Sequence, residues 1–149
     1  MSLPHMTGAA AVHYPLWIDE RIRNPDTDQF GHVNNAAIAS YCEAGRIALF
    51  DDHAMRVAMA DYHVVVVNLT IGFEHELFYP GNVRIGTRVA AVGNSSFHVA
   101  QELFGASGRF ATSTAICVLL DRKTRRPAPL PDPVRHLLLR ACSDQVEPT

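Results

Sequence analysis

The sequence predicts an α+β fold, a single domain in which one long helix packs on a five-stranded antiparallel sheet. Three observations carry this reading. One alanine-rich segment has apolar residues at helical spacing, the runs after it alternate apolar and polar residues, and short turn signals rather than long crossovers separate those runs. A helix set after a first strand and followed by a series of strands is helix packed on sheet.

In chain order, His13–Arg23 alternates loosely and carries Trp17, Ile18 and Ile22, which predicts a strand. Asn35 to about Met55 places Ile38, Tyr41, Cys42, Gly45 and Leu49 on one helical face. Gly45 and the many alanines around it let that helix approach the sheet closely. Four strands follow, over Tyr62–Phe78, Asn82–Val92, Ser95–Phe104 and Arg109–Leu120. In the first of these, Leu69, Ile71, Phe73, His75 and Leu77 share a face, with Asn68, Thr70, Glu74 and Glu76 on the other. Pro80-Gly81 and Gly93-Asn94 are turn signals between strands. Pro133 precedes a short closing helix, Val134–Ala141. The domain is read as 13–142, with a flexible tail at 1–12 and a second tail at 143–149.

Composition limits the function. The 149 residues carry a net charge of -2, so no global positive field exists to hold a nucleic acid. No apolar run approaches the length of a membrane span, and Val64–Val67 is strand-sized. Cys42, Cys117 and Cys142 form no CxxC pair, which argues against a disulfide framework or a zinc site. Reduced thiols, and a start without a signal-peptide pattern, set the expected location as cytoplasmic.

Chemistry concentrates in Asp26-Thr27-Asp28-Gln29-Phe30-Gly31-His32-Val33-Asn34-Asn35, between the first strand and the helix. A helix start presents unpaired N–H groups at the positive end of the macrodipole, which favours an anion or a developing oxyanion. Gly31 permits the turn, and Asn34 or Asn35 is a preferred cap. Two carboxylates and an imidazole beside such donors are the minimum equipment for acyl transfer. Turn and cap chemistry also accounts for Asp-x-Asp before a helix, and His32 also serves as a structural hydrogen-bonding histidine. Spacing alone does not decide between these readings.

The run from Asp28 to Asn35, followed by Tyr41, Glu43 and Arg46, resembles the signature of the hotdog-fold acyl-CoA thioesterases, in particular the 4-hydroxybenzoyl-CoA thioesterase-like family. Pro80-Gly81 with Val83, Ile85 and Thr87, Ser96-Phe97 leading to Glu102-Leu103, and the ending Asp121 to Pro131 resemble later parts of that family in order. The resemblance implies a hotdog domain, a long helix wrapped by the sheet, that hydrolyses an acyl-CoA to free acid and CoA. It implies Asp28 as the catalytic carboxylate, attacking directly or activating water. It places the oxyanion donor at the backbone N–H near Asn35, His32 as the group orienting Asp28 or its loop, and Gly31, Val33 and Asn34 against the substrate. Plant acyl-carrier-protein thioesterases share the His-Val-Asn-Asn run, and Asp28 and His32 match their spacing; their intervening Asn is Phe30 here.

The expected ligand is an acyl-CoA or an acyl-carrier-protein thioester, with CoA as part of the substrate and no separate cofactor or metal. Arg84 and Arg88, which share a strand face, and the cluster Arg122, Lys123, Arg125 and Arg126 are candidates for the CoA phosphates. Glu43, with Arg46 three residues on, reads as half of a helix ion pair. In Glu74-His75-Glu76 a strand sends His75 away from both glutamates, so no metal site is read there. The family's acyl tunnel between protomers implies a homodimer or homotetramer, which would also cover an exposed edge strand. A dehydratase or hydratase of the same fold, and a non-catalytic acyl-CoA-binding module, are the alternatives.

Overall fold

The computed structural model describes residues 13–142; the tails read at 1–12 and 143–149 lie outside the described residues. The elements run β1 (Leu16–Ile22), α1 (Asn35–Ala48), α2 (His53–Ala58), β2 (Tyr62–Phe73), β3 (Gly81–Val92), β4 (Ser96–Gly105), β5 (Gly108–Asp121) and α3 (Asp132–Arg140). All five strands form one antiparallel sheet in the order β1-β3-β4-β5-β2. The chain thus inserts β3 beside β1 and leaves β2 as the far edge.

Alternation decides the faces. Val83, Ile85, Thr87 and Val89 of β3 pack inward with Phe97, Val99, Gln101 and Leu103 of β4 and Ala111, Ser113, Ala115 and Cys117 of β5, all buried. Helix α1 lies on this inner face against β3, β1 and β4, through Ile38, Tyr41, Cys42 and Gly45. In its C-terminal half the approach is backbone to side chain. A Cβ on Gly45 would fall 2.8 Å from both Ile85 Cγ2 and Thr87 Oγ1 and would also strike Gln101 Nε2. Gln101 Nε2 donates to the Cys42 carbonyl at 2.9 Å and to Thr87 Oγ1 at 3.0 Å, so this buried amide links helix to sheet.

Two boundaries differ from the sequence reading by five residues or more. The segment read as one helix to Met55 is two, because Asp52 caps a new helix by accepting from the Met55 N–H at 3.3 Å. Leu49 and Met55 still pack inward, so apolar periodicity persists across a bend that it cannot reveal. The strand read to Phe78 ends at Phe73. There the N–H groups of Glu74 and His75 both donate to the Phe110 carbonyl, and the ladder stops. The alternation assigned to residues 74–77 therefore does not hold.

Gly45→Ala is expected to lower stability by about 1–3 kcal/mol through overpacking, measured as the shift in urea midpoint at unchanged slope.

Candidate active site

The segment between β1 and α1 is fastened at both ends by one buried residue. Asp26 Oδ2 accepts from the Arg23 N–H at 2.9 Å and from the Tyr41 hydroxyl at 2.8 Å, and the Asp26 carbonyl accepts from the Asn34 N–H at 2.8 Å. Burial pushes the Asp26 carboxyl up, but the Arg23 N–H, the Tyr41 hydroxyl and the Arg23 charge together hold it below its ordinary 3.8. Burial and the same carboxylate push the Tyr41 phenol up. The first acid of Asp-x-Asp is therefore structural.

The second acid stands in a closed turn. The Asp28 N–H donates to the His32 carbonyl at 2.8 Å, and Gly31, at a φ of 85°, donates its N–H to the Asp28 carbonyl at 3.1 Å. Asp28 Oδ1 accepts from the Phe30 N–H at 2.9 Å, while Oδ2 lies 3.5 Å from His32 Nδ1. On the other side of the imidazole, His32 Nε2 lies 3.4 Å from Glu76 Oε1. One histidine is thus held between two carboxylates. Phe30 stacks along the His32 ring and Phe78 meets it edge-on.

The loop is docked on the segment after β2, where the Val33 N–H donates to the Leu77 carbonyl at 2.7 Å. That contact brings Glu76 to His32, and sequence reasoning missed it. The signal was the run of acids in Glu74-His75-Glu76, but assigning it to a strand hid the pairing. Glu74 instead turns to Arg109, at 2.9 Å.

The start of α1 completes the arrangement. Asn34 caps it, accepting from the Ala37 N–H at 2.7 Å, and the Asn34 carbonyl accepts from the Ile38 N–H. The N–H groups of Asn35 and Ala36 have no acceptor among the described residues, as the first turn of a helix leaves them. Asn35, His32 and Glu76 line one cavity of about 250 Å³ with Val33, Ile38 and Phe73. Asp28 stands behind His32 rather than on that wall. Glu76 also borders a second cavity of about 480 Å³ on the other side of its segment. Among the described residues, no three His, Cys, Asp or Glu side chains converge as metal ligands would.

The basic candidates are not gathered here within one protomer. Arg84 and Arg88 are on the outer face of the sheet, opposite the helix, as their register on β3 requires. Arg84 lies over the Trp17 ring at 4.9 Å and 3.9 Å from Asp19. Arg88 is beside Tyr14, whose hydroxyl is pushed up to about 12 by burial and by Glu102, against the lowering effect of Arg88. Arg122, Lys123 and Arg125 occupy an exposed turn, where Asp121 Oδ1 accepts from the Lys123 and Thr124 N–H groups. At about 3.3 Å per residue, β5 carries that turn roughly 30 Å from Ala111, the β5 partner of Phe73. Nor do Glu43 and Arg46 pair as read: Arg46 is buried, Glu43 is exposed, and among the described residues neither has an ion-pair partner.

This order of strands around one helix, with a polar loop at the helix start, is a hotdog fold. The chain belongs to the thioesterase-like superfamily, whose family profile matches residues 22–138. It is 28% identical over 140 residues to the chloroplastic acyl-acyl carrier protein thioesterase ATL2 of Arabidopsis thaliana, covering 91% of this chain and 72% of that one. A thioesterase of Thermus thermophilus, solved with coenzyme A and zinc, is 28% identical, with a TM-score of 0.76 over 85% of this chain and 98% of that one. The PA5185 protein of Pseudomonas aeruginosa, 24% identical, shares the fold with a TM-score of 0.78 over 88% of this chain and 94% of its own.

Tyr41→Phe is expected to cost about 1–3 kcal/mol, the penalty for withdrawing a donor from a buried carboxylate. A lowered carboxyl stabilises fully above its unfolded value and loses that contribution as pH falls through the folded value. The gap between wild type and Tyr41→Phe in urea unfolding should therefore be full at neutral pH and shrink in acid below 3.8.

Proposed function

We propose that the protein hydrolyses an acyl-CoA thioester to the free acid and CoA. The observation that supports this best is His32, held between Asp28 and Glu76 on the wall of a cavity that Asn35, the first residue of α1, also lines. The thioester oxygen accepts from the Asn35 end of the helix, where negative charge developing on it is stabilised. With its Nδ1 hydrogen turned to Asp28, His32 offers Nε2 as general base to a water positioned by Glu76. The water oxygen bonds to the carbonyl carbon as its proton passes to Nε2. The C–S bond then breaks, and the departing sulfur takes that proton. Direct attack by Asp28 is the weaker route, since one oxygen is engaged by Phe30 and the carboxylate stands behind the imidazole.

The same reading makes the enzyme a homodimer joined along β2. This strand of 12 residues is an edge, contains no charged residue and no proline, and exposes Val66, Val67, Leu69 and Phe73. Edges so unguarded pair with a second chain. Antiparallel pairing sets Tyr62 of the second copy beside Phe73. The turn of Arg122, Lys123 and Arg125, next to Tyr62 through Asp121, would then reach this cavity from the other protomer and hold the CoA phosphates. Buried thiols at Cys42 and Cys117 suit a reducing, cytoplasmic setting. The Arabidopsis relative makes a carrier-protein thioester the second substrate to offer.

Asp28→Asn is expected to lower kcat by about 100-fold or more while acyl-CoA binding survives, read as thiol release from short, long and aromatic acyl-CoAs and from an acyl-carrier protein. Normal turnover by this variant would sink the assignment, and binding without turnover in wild type would make the protein a binding module. Replacing Arg122, Lys123 and Arg125 by Ala should raise KM for acyl-CoA about 10-fold or more, with little change for a thioester truncated at pantetheine. Mixing that variant with Asp28→Asn should restore activity, because the mixed dimer holds one intact site.

A further inference from the structure

The side chain least explained by the protomer alone is Arg46. Only 8% of it is exposed, its Nη1 is buried without a hydrogen-bond partner, and no carboxylate pairs with it among the described residues. An uncompensated buried charge costs several kcal/mol, so a counter-charge is expected. Its titratable neighbours do not supply one: burial pushes the Cys42 and Cys117 thiols up against the pull of Arg46, which keeps them neutral.

The guanidinium borders a cavity of about 310 Å³, walled by Phe50, Val64, Val66 and Phe97, with Glu43 and Arg46 as the charged residues on its lining. The cavity lies between α1 and the edge strand. The Asn35 end of the helix shares a cavity with Phe73, and its Arg46 end shares this one with Val64 and Val66, so helix and strand run alongside in opposite directions. Val66 is near the middle of β2. A two-fold axis through the middle of that strand therefore brings two copies of this cavity face to face. Ile47 and Val66, 53% and 43% exposed, present apolar surface toward the same side.

A free carboxylate ligand would satisfy Arg46 but meet the charge of Glu43. A second copy offers both signs at once, because an isologous contact sets residue i against j and j against i. We propose that the occupant is a second copy of this chain, with Glu43 of each protomer neutralising Arg46 of the other across the two-fold axis. This inference rests on the homodimer proposed above and names the charges that fix its register.

The test is sedimentation of Glu43→Lys, Arg46→Glu and their mixture. Glu43 is exposed in the protomer, so Glu43→Lys is expected to fold, with the thermal melt as the check. Each single variant opposes like charges twice, and its dimer dissociation constant should rise about 100-fold or more. In the mixture, Lys pairs with Glu and Arg46 with Glu43, so a heterodimer of near wild-type strength should form. A Glu43→Lys dimer as tight as wild type overturns the inference, whatever the fate of Arg46→Glu, and leaves the β2 dimer standing. Two folded, monomeric variants that fail to associate on mixing also overturn it. A monomeric wild type overturns the pair and the dimer together.

Discussion

The candidate site depends on one short bond, from the Tyr41 hydroxyl to Asp26. Asp26 closes the loop on itself through the Arg23 and Asn34 N–H groups, and Tyr41 then ties that closed loop to the second turn of α1. Without the tie, the loop and the helix start would be two surfaces free to separate. With it, the His32 imidazole and the open N–H groups of Asn35 and Ala36 keep a fixed relation, which the proposed hydrolysis requires. Docking of Val33 on Leu77 extends the same constraint to Glu76.

Helix placement follows from small residues. Gly45 lets α1 sink until Gln101 can reach the Cys42 carbonyl, and this close seat is over β3, β1 and β4. One helix cannot also cover β5 and β2. The inner face of β2, with Val64, Val66, Leu69, Ile71 and Phe73 opposite the buried residues of β5, is therefore left partly bare, with Phe73 on the cavity of His32 and Val64 and Val66 on that of Arg46. An apolar strip beside a buried guanidinium is unstable in water on both counts.

Much of the fold was legible because alternation and helical spacing are local properties. The pair Val83 and Ile85 announces an inner face whatever strand lies beside it. The boundaries that went unread are those set from a distance. The bend at Leu49–Asp52 keeps its apolar spacing, and β2 ends because Phe110, far along the chain, captures the N–H groups of Glu74 and His75. In the site, Asp28, His32 and the cap at Asn34 could be read from a ten-residue stretch because they are neighbours in sequence. Glu76 could not, since only the Val33–Leu77 contact makes it a neighbour.

The sequence by itself therefore determined the α+β class, the number of strands and the polar loop at the helix start. These follow from side-chain period and turn chemistry over a few residues. Tertiary structure alone decided that Asp26 is scaffold while Asp28 faces an imidazole, that Glu76 completes that contact, that Arg84 and Arg88 lie across the sheet from it, and that Arg46 is buried without an ion pair to Glu43. Each of these depends on which strand lies beside which, and strand order is set by packing between segments that no local pattern connects.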